Sequence, residues 1–172
     1  MNDGLAWGLL PLVFAASGRT IVEIGVLAGT YPAVWGLGQL VTGALSDRHG
    51  RKPYIVGGMI IQAAGLGLLG FANDFVVHMA AMILLGLGTA AVYPTLLSAV
   101  GDEANPSWRA TAVGVYRLWR DGGYVVGAVL AGVISQLLGM QAAILSVAVL
   151  TLLSGLVASF VMTETHTQRL TN

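Results

Sequence analysis

The stretch GALSDRHGRKP, from Gly43 to Pro53, decides the fold because it places four charged residues between two long uncharged segments. Residues 24–46 before it and residues 54–73 after it contain no Asp, Glu, Lys or Arg. About 20 such residues are enough to cross the roughly 30 Å hydrocarbon core of a bilayer. The sequence therefore predicts a loop at a membrane surface, flanked by two transmembrane helices.

Composition favours the same class of protein along the whole chain. Charged residues make up 9% of the 172 residues, against about 25% in soluble domains, and the mean hydropathy is +0.79. The formal net charge is zero, which gives no electrostatic reason to expect a nucleic-acid partner. The chain has no cysteine, so disulfides and thiolate metal sites are excluded. We expect an integral membrane protein whose surroundings are the lipid bilayer, without a cofactor.

The uncharged segments predict an all-α protein with six transmembrane helices, of which the first is short. Residues 122–163 carry no formal charge, and one helix of that length would run about 60 Å, so a hairpin is predicted at residues 138–141. The predicted helices cover residues 4–18, 24–46, 54–72, 75–100, 107–136 and 142–162, and residues 166–172 form a tail.

The distribution of Lys and Arg predicts the orientation of these helices. One side of the membrane receives only Arg19, and the opposite side receives Arg48, Arg51, Lys52, Arg109 and Arg169. Since cytoplasmic loops are enriched in Lys and Arg, both termini are predicted to lie in the cytoplasm. The expected location is the inner membrane of a bacterium.

The charged loop resembles a known signature. Its matching residues are Gly43, Asp47, Arg48, Gly50, Arg51 and Lys52, which resemble the G-x-x-x-D-R-x-G-R-K motif of the major facilitator superfamily. In that family the motif joins the second and third helices of a six-helix half. The resemblance therefore implies half of a twelve-helix fold, with a three-plus-three inverted repeat. Residues 2–11 resemble the middle of a seventh helix, which favours the C-terminal half.

The resemblance implies a secondary transporter that moves an unidentified small solute. Whether a proton or another ion is coupled to this transport is left open. The resemblance also implies a gating role for the loop residues and a second six-helix unit. That unit could come from the missing part of a truncated frame, from a separate chain or from a second copy. A membrane enzyme is not expected, because the sequence lacks H-E-x-x-H, G-x-S-x-G and phosphate-loop motifs. A non-transporting scaffold or inactive fragment stays open as the alternative.

The predicted fifth helix carries a polar patch of Arg117, Arg120 and Asp121, which are spaced to share one side of the helix. We hypothesise that this patch links with Asp47 and Arg51 as a charge lock that forms in one access state. Asp102, Glu103 and Arg109 are further candidate partners of the lock. The alternative is that Arg117 and Asp121 neutralise each other as a fixed pair.

Aromatic and amide side chains form a candidate substrate cavity. Tyr31, Trp35 and Gln39 lie on one face of the predicted second helix because they are spaced four residues apart. Tyr93, Tyr116 and Trp119 are similar candidates, and core packing is an equally open interpretation. The pairs Gly25 with Gly29 and Gly123 with Gly127 are predicted to be faces of close helix packing.

Overall fold

The computed structural model describes residues 2–71 and 74–163, which form helices and no strands. The helices are α1 (Asn2–Gly8), α2 (Leu10–Ala16), α3 (Ile21–His49), α4 (Lys52–Phe71), α5 (Phe75–Glu103), α6 (Arg109–Leu138) and α7 (Met140–Val161). The five helices α3 to α7 are each long and apolar enough to cross a membrane. The prediction of an all-α membrane protein is therefore confirmed. The predicted tail with Arg169, and residues 72 and 73, lie outside the described residues.

The first predicted helix differs from the structure, which has the two short helices α1 and α2 instead of one. Leu9 stands between them, with φ −109° and ψ −37°. Pro11 has no N–H to donate to the carbonyl of Trp7, and its ring crowds that carbonyl. The N–H groups of Leu12 and Val13 both bond to the Leu9 carbonyl instead, each at 3.0 Å. A proline two residues after the break is therefore the physical reason for it.

Two glycines make the sharp reversals between long helices. Gly50 ends α3 with φ +100°, and Gly139 separates α6 from α7 with φ +92°. L-residues rarely adopt such φ values, whereas glycine adopts them without a steric penalty. The hairpin predicted at residues 138–141 therefore turns at Gly139, between the end of α6 and the start of α7.

Helix α5 is the centre of the bundle, because it packs against α3 on one side and α4 on the other. Gly86 faces α3, where an added Cβ would lie 2.9 Å from the Tyr31 carbonyl oxygen. Gly88 faces α4, where an added Cβ would lie 2.6 Å from the Gly58 carbonyl oxygen. Both helix crossings therefore occur at nearly the same height on α5. At each crossing the two backbones approach closely because glycine places no side chain between them.

Three of the four glycines predicted to form packing faces make no close contact inside this unit. An added Cβ at Gly25, Gly29 or Gly123 would meet no described atom of a neighbouring element within 4 Å, so their role in helix packing stays a prediction. They lack such contacts because they lie on α3 and α6, the two most peripheral spans. In the most apolar 18-residue stretch of each of these two helices, 11% of the residues are buried inside the unit, against 50% of the corresponding stretch of α5.

Candidate functional site

A polar junction forms where α3, α4 and α5 cross. The Tyr31 hydroxyl lies 3.1 Å from the Thr89 hydroxyl, and the Gln62 side-chain amide donates to that same Thr89 oxygen at 2.9 Å. Thr89 is the central residue of the 29-residue helix α5, so the junction lies near the middle of the membrane. The close crossings at Gly86 and Gly88 bring these three polar side chains together.

A carboxylate from α1 joins this junction. The Tyr31 hydroxyl donates to Asp3, and the side chain of Tyr124 on α6 lies beside the same carboxylate. The next residue, Gly4, lies directly against α6, where an added Cβ would be 2.5 Å from the Tyr124 carbonyl oxygen. The lack of a side chain at Gly4 therefore lets α1 dock on α6 and carry Asp3 to the centre of the bundle.

A cavity of about 220 Å³ opens beside this junction, at the same depth. Its lining residues are Asp3, Met59, Gln62, Thr89, Val92, Tyr93, Leu96, Tyr116, Arg120, Tyr124, Leu150, Thr151 and Ser154. They come from α1, α4, α5, α6 and α7, so the cavity is shared by most of the bundle. A mainly apolar cavity with a few converging polar groups is the usual form of a small-molecule site.

The structure places the predicted cavity residues in three different positions. Tyr93 and Tyr116 line the cavity. Trp35 lies behind it, stacked on Tyr31 with ring centroids 6.2 Å apart and edge-on to Tyr93 at 5.6 Å. Neither Gln39 nor Trp119 belongs to the lining, and the Trp119 side chain is 78% exposed.

Sequence reasoning missed four polar residues of the site: Asp3, Gln62, Thr89 and Tyr124. Each is a polar residue within an otherwise apolar helical segment, which was the signal that could have found them. Asp3 was overlooked because the first helix was interpreted as a short remnant.

Arg120 is the central member of the polar patch on α6. Its Nε and one terminal nitrogen donate to Asp121 at 2.7 Å, and its other terminal nitrogen donates to the Tyr93 hydroxyl at 2.7 Å. The guanidinium also lies over the rings of Tyr93 and Tyr124, 5.0 and 5.7 Å from their centroids. Asp121 therefore forms its ion pair with Arg120, and not with Arg117 as in the alternative to the charge lock. The bond to the Tyr93 hydroxyl holds the Arg120 guanidinium where its other nitrogens reach the carboxylate of Asp121.

A second group of charges lies at the end of the bundle that holds the α3–α4 loop. Arg51 pairs with Asp47 and, through Nε at 3.3 Å and a terminal nitrogen at 3.2 Å, with Asp102 at the end of α5. It also donates to the Ser46 hydroxyl at 3.0 Å. We call Ser46, Asp47, Arg51 and Asp102 the loop charge cluster. It gives Asp47, an unfavourable residue at a helix C-terminus, the arginine partner that it needs.

The other residues of the sequence motif have simpler roles. The Gly43 carbonyl accepts from the Ser46 hydroxyl at 2.9 Å, Gly50 makes the turn, and Lys52 begins α4. The side chain of Arg48 is exposed, as are those of Glu103 and Arg109 near the same end of the bundle.

The charge lock predicted from the sequence is divided into two clusters in this structure. Arg51 is anchored on α5 at Asp102, and Arg120 is anchored on α5 at Tyr93. These two anchor residues are nine positions apart, which is about 14 Å along the helix. The link drawn from Asp47 and Arg51 to the α6 patch therefore does not form here, because the patch lies too deep in the bundle.

Comparison with known proteins gives consistent matches over most of the chain. The family model described as Major Facilitator Superfamily matches residues 1–172. The chain is 30% identical over 119 residues to "Multidrug resistance protein MdtH" of Aeromonas hydrophila, covering 65% of this chain and 30% of the relative. The same protein of Aeromonas salmonicida is 31% identical with the same coverage. The same protein of Enterobacter sp. strain 638 is 30% identical over 128 residues, covering 74% of this chain and 29% of the relative. The matched region thus spans about 30% of the length of these relatives.

Proposed function

This chain belongs to the major facilitator superfamily, and from that premise we propose that it forms one six-helix half of a secondary transporter. In this proposal the protein lies in a bacterial inner membrane, with both termini and the α3–α4 loop in the cytoplasm. It moves a small organic solute by alternating access, and the midplane cavity is the binding site. The relatives named as multidrug resistance proteins support an organic solute.

The observation that carries the proposal is the exposed charge on α6. Arg117 and Asp121 are both exposed, although Arg117 lies eight residues, or about 12 Å, beyond the start of α6 at Arg109. A charged side chain within the hydrocarbon core is unfavourable, by roughly 2.5–3.5 kcal/mol at the centre on insertion scales and by less nearer the surface, and such residues face a water-filled cavity or another protein surface rather than lipid. This face of α6 therefore borders an aqueous path or a partner.

Helices α3 and α6 are the proposed contact with a second six-helix unit. They are the least buried spans, and their glycines at positions 25, 29, 36, 114 and 122 leave open space for a neighbouring backbone. Equal exposure of α3 and α6 also supports a three-plus-three repeat, in which the two helices occupy equivalent positions. The second unit would be a second copy, a separate chain or another part of a longer chain.

Alternating access can be tested without knowing the solute, because the chain has no cysteine and accepts a single reporter. We expect Ser154→Cys, which lines the cavity, to react with a membrane-impermeant maleimide in both right-side-out and inside-out vesicles. The matched control is Leu153→Cys on the same turn of α7, which is half exposed and outside the cavity lining. We expect it to lie against lipid and to react from neither side. Labelling of Ser154→Cys from one side only, or from neither, would favour a static scaffold.

The proposed partner surface can be tested on the purified chain in proteoliposomes. We expect Leu40→Cys on α3 and Leu118→Cys on α6, both strongly exposed, to give a homodimer with a short bifunctional maleimide if a second copy is the partner. Leu153→Cys on α7 is the control and should stay monomeric. Equal cross-linking at all three positions would contradict a specific α3 and α6 interface.

A further inference from the structure

A second cavity, of about 560 Å³, opens at the end of the bundle that holds the α3–α4 loop. We call it the loop-end cavity. It lies between the end of α5, the start of α6 and the end of α7, and its lining includes Leu96, Glu103, Trp108, Ala112 and Met162. Its volume falls within the roughly 300–1,000 Å³ of small-molecule sites, so it has room for a compact organic molecule.

The loop-end cavity continues the midplane cavity along the same two helix faces. On α5 the lining positions of the two cavities form one helical stripe, at residues 89, 92, 93, 96, 99, 100 and 103. On α6 they recur every four residues, at 108, 112, 116, 120 and 124. Among the described residues, Leu96 alone lines both cavities. The two cavities are therefore neighbours on one path, with Leu96 between them.

The loop-end cavity reaches the membrane surface. Leu96 is seven residues beyond Thr89, or about 10 Å along α5, and Glu103 is fourteen residues beyond it, or about 21 Å. Half of the hydrocarbon core is about 15 Å thick, so Glu103 lies at the level of the lipid headgroups. Trp108 is 54% exposed at the same end, and tryptophan is enriched at this level of a bilayer. The mouth of the cavity is therefore in contact with both water and headgroups.

The charge of the loop-end cavity is negative. Glu103 is the one charged residue in its described lining, and within residues 2–71 and 74–163 its carboxylate forms no ion pair. The rest of that lining is apolar except for Thr163, and it includes the indole of Trp108, the ring type that attracts cations most strongly. An apolar molecule with one cationic group therefore suits this cavity, whereas an anion would be repelled.

The midplane cavity carries charge that is compatible with the same molecule. Asp3 lines it, and the positive charge of Arg120 is offset by the ion pair with Asp121. A cationic group that passes Leu96 thus leaves one carboxylate and approaches another.

We propose that the loop-end cavity is a second binding site for the transported solute, on the path between the cytoplasm and the midplane cavity. It takes an apolar molecule with its cationic group at Glu103, and the Leu96 side chain is the barrier between the two sites. This inference rests on the proposed function.

The test uses two probes of equal shape and opposite charge, tetraphenylphosphonium and tetraphenylborate. In nanodiscs, the purified chain with Ala112→Cys reacts with a membrane-impermeant maleimide, and each probe is titrated as a protecting ligand. We expect tetraphenylphosphonium to protect at a concentration at least about tenfold lower, after correction for partition into empty nanodiscs. Ala110→Cys, exposed on another face of the same turn and outside the lining, is the control that neither probe should protect.

Two substitutions examine the residues named in the proposal. Glu103→Gln should raise the protecting concentration of tetraphenylphosphonium about fivefold, whereas Glu23→Gln, an exposed glutamate at the other end of the bundle, should not change it. Leu96→Ala should speed the labelling of Ser154→Cys in inside-out vesicles about fivefold, because the barrier is shortened. Leu97→Ala, its neighbour outside both linings, should leave that rate unchanged. Circular dichroism and size-exclusion profiles show that each variant is folded.

Equal protection by the two ions, or no effect of Glu103→Gln, would overturn a cationic site. An Ala112→Cys that fails to react without any probe, while Ala110→Cys reacts, would overturn it in favour of a bound membrane lipid. Equal rates for Leu96→Ala and Leu97→Ala would overturn the barrier. If neither probe protects while Ser154→Cys is still labelled from both sides, this inference fails and the transporter proposal stands. One-sided labelling of Ser154→Cys would remove the transporter proposal, and with it the role of the loop-end cavity in access.

Discussion

Replacement of Gly88 by leucine is expected to prevent α4 and α5 from packing, and to lower the stability of the bundle by about 3 kcal/mol or more. An added Cβ would lie 2.5 Å from Gln62 Cγ and 2.6 Å from the Gly58 carbonyl oxygen, and the second of these is backbone that cannot rotate away. Overpacking commonly costs about 1–3 kcal/mol even where side chains can adjust. The measurement is the thermal midpoint of the detergent-solubilised chain, followed by size exclusion.

Gly67→Leu on α4 is the matched control for this variant. An added Cβ there meets no described atom within 4 Å, and leucine has a higher helix propensity than glycine by somewhat under 1 kcal/mol. We therefore expect Gly67→Leu to be neutral or mildly stabilising. A Gly88→Leu protein as stable as Gly67→Leu would contradict the close crossing of α4 and α5.

Arg51→Ala is expected to have the second large effect, because it leaves two carboxylates without their shared partner. The Arg51 side chain is only 13% exposed and pairs with both Asp47 and Asp102. Removing one member of a mostly buried ion pair costs roughly 3–5 kcal/mol, and the exposed position of Asp47 should reduce this towards the lower end. The measurement is the free energy of unfolding in a mixed-micelle denaturant titration.

Two further variants show whether this loss comes from the ion pairs. Arg48→Ala removes a neighbouring arginine with an exposed side chain and should change stability by less than about 0.5 kcal/mol. The double variant Arg51→Met with Asp102→Leu should recover part of the loss, because an apolar pair leaves only Asp47 unpaired. Equal effects of Arg48→Ala and Arg51→Ala would show that the loop charge cluster contributes little.

The class of fold could be predicted from the sequence because each helix that crosses a membrane must be a long uncharged segment. Long uncharged segments and the turn at Gly139 could be recognised without any tertiary contact. The break at Leu9 was not predicted, although Pro11 was visible, because a proline in a membrane helix can also be a continuous kink. The packing glycines were missed because spacing alone does not tell which face of a helix meets a neighbour.

The candidate site was harder to predict, because its members meet through helix crossings. Tyr93 and Tyr116 were identified from residue type, whereas Asp3, Gln62 and Thr89 required knowledge that α1, α4 and α5 converge at one depth. The pairing of Arg51 with Asp102 was among the expected contacts, since both residues lie at helix ends on the same side. The depth of Arg120 was not accessible from spacing, because it depends on the Tyr93 hydroxyl of another helix.

The hydroxyl of Thr89 gives the junction a direction. Gln62 donates to the Thr89 oxygen, so the Thr89 hydrogen is available for the Tyr31 oxygen, and the Tyr31 hydrogen for Asp3. The hydrogen bonds then all point from the Gln62 amide on α4 towards Asp3 on α1. Loss of the Thr89 hydroxyl would release the contacts to α3 and α4 at once, so one threonine of α5 ties together side chains from three other helices.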